Sequence, residues 1–231
     1  MPEPEMASED HGDREDPLRF TEKWQEELTL DDGTKIRLRR LRQGDRPALV
    51  AAFDRLSPES RYWRFFTSMP RIPAHVLDGL MQADDDHFAI VATGVTEGTA
   101  EVEGYGIARF ARLSDAPDTA EAAVTVVDQM QRRGLGSRLL SCLVEAALER
   151  GITKFRAEVL RSNAKMNALL HEFDENTRPI HVDGPMAVYL VELGREPAGP
   201  LFRLLNLAAK GVQVVVRHLP GMHHTPGKYP R

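Results

Sequence analysis

At 231 residues, 42% hydrophobic and 28% charged, the chain has the make-up of a globular protein and the length for one well-buried domain of roughly 150 residues with extensions. Its formal charge of −5 leaves no footprint for non-specific binding to nucleic acid. No run approaches the roughly 18 apolar residues of a membrane span, and the acidic start, Met1–Asp16, is the reverse of a signal peptide, so a cytoplasmic protein is expected.

Residues 1–22 hold too little apolar surface to offset the entropy of ordering and read as a disordered acidic tail. Two short strands follow, Leu28–Leu30 and Lys35–Arg39, around the turn Asp31-Asp32-Gly33. The folded domain is expected over 23–195. Asp45 reads as the cap of a helix with Pro47 in its first turn and Leu49, Val50, Phe53 and Leu56 at helical spacing. Ser57-Pro58 opens a second helix through Arg61-Tyr62-Trp63-Arg64-Phe65-Phe66, with aromatics expected inward and arginines outward or, from its place after the first helix, a position beside the acceptor, and Ala74–Met81 forms a third. Asp84-Asp85-Asp86 is a loop whose charge would attract a cationic substrate.

His87–Ala92, Val102–Leu113 and Ala120–Val127 are three extended runs separated by turns of hairpin length, an antiparallel meander. From Gly134 to Arg150 the apolar period changes to that of a helix, and Gly151 follows as its C-terminal cap. The lone cysteine, Cys142, lies among Leu139, Leu140, Leu143 and Ala146 on that helix and reads as core rather than nucleophile. Phe155–Leu160 is a strand, Asn163–Phe173 a helix and Pro185–Val191 a final strand. Past a linker at 194–200, Leu201–Leu219 reads as an extra packing helix within a C-terminal unit at 196–231. Near its frayed end His223-His224 has no third ligand close in sequence, so no metal is expected.

The chemistry concentrates in Val124–Leu140, where a strand ends, Gln131-Arg132-Arg133-Gly134-Leu135-Gly136 turns, and a helix opens. Amides at a helix start have no intrahelical partner and the aligned peptide dipoles favour an anion there. Glycines at 134 and 136 let phosphate oxygens approach the backbone. The pattern is neither a P-loop nor the Rossmann glycine fingerprint.

This turn, in its β-β-β-turn-α-β-α setting, resembles the GNAT superfamily of acyl-CoA-dependent N-acetyltransferases, whose [RQ]-x-x-G-x-[GA] signature corresponds to Gln131–Gly136. The resemblance runs from about Thr34 to Leu193. It implies an α/β (α+β) fold of GNAT type: a mixed, mostly antiparallel sheet flanked by helices, here with an extra C-terminal helix. It further implies that the backbone of Val124, Thr125 and Val126 pairs with the pantetheine arm of acetyl-CoA. The amides of Arg132, Arg133, Gly134, Leu135, Gly136 and Ser137, after Gln131, would hold its pyrophosphate. Asn163 matches an asparagine that commonly lies beside the coenzyme.

A closer resemblance is to the GNAT domain of bacterial protein lysine acetyltransferases, carried by Asp32-Gly33, by Arg55-Leu56-Ser57-Pro58-Glu59-Ser60-Arg61-Tyr62 with Arg64-Phe65-Phe66, and by Ala120-Glu121. It implies a protein lysine as acceptor, and because those domains are often fused to an acyl-CoA-synthetase-like module for which this chain lacks the length, a stand-alone version is expected. Glu121 corresponds to the glutamate those enzymes carry ahead of the turn, which makes it the candidate general base. Three positions depart from the pattern: Arg132 stands where glycine is frequent, Leu170 where many members have a tyrosine acid, and Phe173-Asp174-Glu175 where Gly-Phe is usual.

Acetylating an amine needs a neutral nitrogen, a polarised thioester carbonyl and a route for the proton, and a lysine near neutral pH must first lose its proton to a base. Strand alternation puts Glu121, Ala123 and Thr125 on one face and Ala122, Val124 and Val126 on the other, unless a bulge intervenes. A backbone amide near Val126 would serve the oxyanion. Two alternatives stand beside the protein lysine acetyltransferase: an enzyme acting on a small amine, and a non-catalytic acetyl-CoA-binding regulatory module.

Overall fold

The computed structural model describes residues 18–30, 32–96, 100–162 and 178–193. Asn163 and the helix expected after it, Leu170, the linker, the extra C-terminal helix and His223-His224 all lie outside the described residues. The described chain runs β1 (Gln25–Thr29), β2 (Lys35–Arg40), α1 (Arg46–Asp54), α2 (Pro58–Phe65), α3 (Ala74–Met81), β3 (His87–Val95), β4 (Glu101–Leu113), β5 (Ala116–Val126), α4 (Leu135–Glu149), β6 (Lys154–Leu160), β7 (His181–Asp183) and β8 (Met186–Glu192). The strands form one eight-stranded sheet in the order β1-β2-β3-β4-β5-β6-β8-β7, antiparallel throughout except where β5 meets β6. That parallel pair demands a crossover, and α4 supplies it.

Period-2 alternation sends the two faces of the sheet to different partners. Phe88, Ile90, Ala108, Phe110, Ala122, Val124 and Val126 face α4, whose Leu135, Leu139, Cys142, Leu143 and Ala146 are almost wholly buried against them. Ala89, Val91 and Ile107 face the other way, toward Leu49 and Val50 of α1 and Leu77 and Met81 of α3. Residue Phe53 of α1, Phe65 of α2 and Val76 of α3 then close a small second core among the three helices. Burial pushes the Cys142 thiol up to about 12, as befits a packing residue.

Three local expectations change. The tail does not run to residue 22: Phe20 is fully buried, its ring lies tilted with its centroid 4.6 Å from that of Trp24, and it is tied at both backbone ends, to Glu149 and Arg150. Asp45 precedes α1 without capping it through its side chain. Its carboxylate instead takes Arg39 through two bonds of 2.8 Å and the Arg42 amide at 2.7 Å, because a buried guanidinium on β2 is the stronger claimant. The aromatics-in, arginines-out reading of α2 also fails, since Tyr62 is exposed whereas Arg64 is buried. Pairing of β7 with β8 was not foreseen.

Close approach at one glycine holds β4, β5 and α4 together. A Cβ on Gly106 would lie 3.0 Å from the Thr125 carbonyl oxygen and 3.0 Å from Leu139 Cδ1, so the Leu139 side chain and the β5 backbone would both have to give by a few tenths of an ångström. Gly106→Ala is therefore expected to destabilise the protein by about 1–3 kcal/mol, read as a lower Tm, whereas Gly44→Ala, which meets open space, stays within about 0.5 kcal/mol. Equal Tm changes in the two variants would contradict this packing.

Candidate active site

β5 and β6 stay paired for only three residue pairs, Thr119 with Lys154, Ala120 with Phe155 and Glu121 with Arg156. Beyond Glu121 the two strands part. β6 keeps full register with β8 from Lys154 to Leu160, and β5 keeps full register with β4 from Ala120 to Val126. Ala122–Val126 thus meet no strand on the β6 side among the described residues. This leaves a wedge between two parallel strands, with backbone amides and carbonyls along one wall that require a partner.

Glu121 sits on the last paired rung, at the apex of the wedge. No register shift interrupts β5 between Ala120 and Val126, so Glu121, Ala123 and Thr125 share the face toward α1–α3, as alternation predicts. The carboxyl is buried: one oxygen lies 3.9 Å from the Arg156 guanidinium and the other, Oε2, has no hydrogen-bond partner. Burial pushes its pKa up to about 8, against the pull of Arg156 and Arg109 and with a push from Glu158. Thr125, four residues on and on the same face, lines an apolar cleft between α1, α2 and the sheet, together with Leu56, Arg64 and Gly106.

At the far end of β5 the chain passes through a short 3-10 turn, Asp128–Met130, and then into α4. Arg132 and Gly134 are both left-handed, with φ of 60° and 79°. That explains why glycine suits position 132 as well as 134. The Arg138 amide is the first to close a helical turn, on the Gly134 carbonyl at 3.1 Å, leaving the Leu135 and Gly136 amides outside the helical ladder. Arg132, Arg133 and Gly134 are exposed, Leu135 and Ser137 buried. Arg133 is steered by an ion pair with Asp32, and Arg138 by one with Glu26.

The Gln131 side chain turns inward instead of toward a ligand. Its Nε2 donates to the Val126 carbonyl at 3.0 Å and to Ser60 Oγ at 3.4 Å. Asp128 completes the link: its carboxylate accepts from the Ser57 amide at 2.9 Å, Ser57 Oγ at 2.8 Å and Ser60 Oγ at 2.9 Å. The start of α2 is thereby clamped to the turn below β5. Asp128 went unrecognised in the sequence; its only signal was the helix-start pattern Ser57-Pro58-Glu59-Ser60, which names a cap but not a partner 71 positions away. The acidic loop is occupied locally, with Asp84 accepting from His87 and Asp86 holding Arg112. Among the described residues no three His, Cys, Asp or Glu side chains gather as a metal site, and no helix is long and apolar enough to cross a membrane.

Against known proteins, residues 49–174 match the Acetyltransferase (GNAT) family. An acetyltransferase of Pseudomonas aeruginosa is 30% identical over 162 residues, 66% of this chain and 86% of that protein. The acetyltransferase Pat of Mycolicibacterium smegmatis is 35% identical over 115 residues, 49% of this chain but only 33% of that protein, so the alignment spans a third of its length. The GNAT domain of S. lividans PAT superimposes with a TM-score of 0.61 at 30% identity, covering 74% of this chain and 97% of that domain. The chain belongs to the GNAT acetyltransferase family and has its fold. It is an acyltransferase, and acetyl-CoA is the acyl donor of that family.

Because the Glu121 pKa is raised on folding, the folded state loses stability as pH climbs from the ordinary value of about 4.5 through about 8, where the buried carboxyl must ionise. Glu121→Gln removes that loss. Its Tm should match wild type near pH 5 and exceed it near pH 9, by an amount on the order of a few kcal/mol in stability. A Tm difference that does not grow with pH would contradict the buried, unpartnered carboxyl.

Proposed function

We propose that the protein is a cytoplasmic acetyl-CoA-dependent N-acetyltransferase whose acceptor is a lysine side chain of a protein, with Glu121 as general base. The observation that carries this reading is the position of Glu121: a buried carboxyl with one unpartnered oxygen at the apex of the wedge where β5 leaves β6. In this reading the Val124–Val126 backbone pairs with the amide-bearing pantetheine arm and brings the thioester into the wedge. The amides of Arg132–Ser137 receive the pyrophosphate, with Arg132 and Arg133 adding charge at the exposed mouth. Gln131 shapes this cradle by holding the Val126 carbonyl, and Asn163 is the residue that would lie beside the coenzyme.

The chemistry follows from those placements. Glu121 takes a proton from the acceptor ammonium, the freed nitrogen attacks the thioester carbon, and an amide N–H near Val126 steadies the oxyanion. Collapse expels the CoA thiolate, and the proton still on the attacking nitrogen passes to that thiolate or to solvent, leaving the neutral amide and CoA thiol. A thiolate is a stable enough leaving group to depart without a dedicated acid, which fits leucine at position 170. The resemblance of Arg55–Tyr62 and Ala120-Glu121 to the GNAT domain of bacterial protein lysine acetyltransferases supports lysine as acceptor, and the buried Glu121 favours an enzyme over a regulatory module that only binds acetyl-CoA.

Two measurements test the halves separately. Gly134→Ala forces a Cβ into a left-handed residue and should weaken acetyl-CoA binding by about tenfold in calorimetry. Glu121→Gln should bind acetyl-CoA as wild type does yet lose about a hundredfold or more in kcat, and the wild-type kcat/KM should rise with pH up to about 8 and then level. Full activity in Glu121→Gln, or a rate that falls as pH rises toward 8, would refute the base.

A further inference from the structure

Among the described residues the enclosed arginine side chains come in two kinds. Arg39 is 4% exposed and is saturated, with paired bonds to Asp45 and to Glu101 at 2.6–2.8 Å. Arg150, half-buried, donates through its two terminal nitrogens to the carbonyls of Ala146 and Phe20, each at 3.0 Å, and only its Nε is left without a partner. Arg64 and Arg109 break the pattern. Each is 6% exposed, and among the described residues neither has a carboxylate within ion-pair distance or a hydrogen-bond acceptor; the Nε of Arg109 is wholly enclosed and unpartnered. They also repel one another, and burial with that repulsion holds Arg64 down at about 9, while burial holds Arg109 down at about 10. Both remain cations at neutral pH.

Two like charges buried together without a counter-ion are costly, and proteins otherwise pair or expose them. The nearest carboxylates act on Arg109 only at longer range: Asp84 and Glu121, the latter held mainly protonated at neutral pH by its own burial. The location is informative. Arg109 stands on β4 opposite Ala123, between Glu121 and Thr125 on the face toward α1–α3. Arg64 lines the cleft that reaches Thr125. The coenzyme phosphates do not fit here, since β5 alone sets Ala123 about 10 Å short of Val126 and the α4 turn lies beyond it.

We propose that Arg64 and Arg109 form an anion subsite on the acceptor side of the wedge that binds a carboxylate carried by the acceptor itself. The planar guanidinium forks favour a carboxylate, which each can hold through two parallel bonds. The inference rests on the acetyl-transfer reading and adds to it a substrate class: amines with a carboxylate close by. That carboxylate is an acidic residue beside the target lysine or the α-carboxylate of a free amino acid.

The test compares matched acceptors that differ only in that charge: a lysine peptide with glutamate beside the lysine against its glutamine counterpart, and L-lysine against L-lysinamide. Thiol release from acetyl-CoA is followed with wild type, Arg64→Met and Arg109→Met. Wild type should prefer the carboxylate member of at least one pair by about tenfold in kcat/KM, the pair identifying the source, and each variant should bring the ratio toward one. The same pairs are read without turnover as ligand-induced Tm shifts, and both variants should show a higher ligand-free Tm because an unpaired buried charge is gone. Turnover with no preference in either pair, or a preference that survives both substitutions, overturns the subsite. Failure to bind acetyl-CoA or to release thiol with any acceptor would instead count against the transferase reading, and the Tm shifts alone then decide the subsite.

Discussion

The wedge exists because β5 and β6 are each committed to another partner. β5 is held in unbroken register to β4 from Ala120 to Val126, and β6 to β8 over its whole length. Only Thr119–Glu121 can satisfy both strands at once. An internal strand with one unpaired edge is unfavourable in isolation, and the natural remedy is an extended ligand that carries its own amides. The α4 helix packs behind the same stretch and turns the strand's end into an anion cradle, so one segment offers both a surface for an extended arm and a seat for its phosphates.

Charge placement separates the framework from the acceptor side. Around β2 the buried Arg39 is matched bond for bond by Asp45 and Glu101, whose carboxyls its guanidinium holds below the usual range against the cost of burial. Further along the sheet, Glu121 keeps an unpartnered oxygen and Arg109 an unpartnered Nε, and among the described residues neither Arg109 nor Arg64 has a carboxylate within ion-pair distance. Such groups cost stability in the free protein and become useful when a substrate supplies what is missing. Asp128 and Gln131 join the two regions: they tie the start of α2, and hence Arg64, to the turn that follows β5.

The sequence disclosed what is local. The 3.6-residue period of α4, Gly151 at its end, the three-strand meander and the glycine turn ahead of α4 all follow from short-range spacing and are legible in the sequence, whereas the left-handed backbone at Arg132 is not. So was the strand face of Glu121, because no bulge disturbs alternation. What escaped depends on partners far along the chain. Asp45 reads as a helix cap until Arg39 and Glu101 are seen around it, and Glu101 lies 62 positions from Arg39. Phe20 looks like part of a polar tail until Trp24 and Phe88 enclose it. Arg64 reads as solvated, since no periodicity reveals that α2 turns a guanidinium beneath the sheet. Glu121 gained its meaning from a family resemblance and its plausibility from the geometry of three backbone pairs.

The central claim is that the open edge of β5 and the turn before α4 together receive acetyl-CoA, and amide hydrogen exchange reads this residue by residue. Saturating acetyl-CoA should slow exchange at Val124–Val126 and at the amides of 132–137, with little change in β1 or β2. Unchanged exchange at both segments under saturation, or protection confined to other strands, would contradict the account.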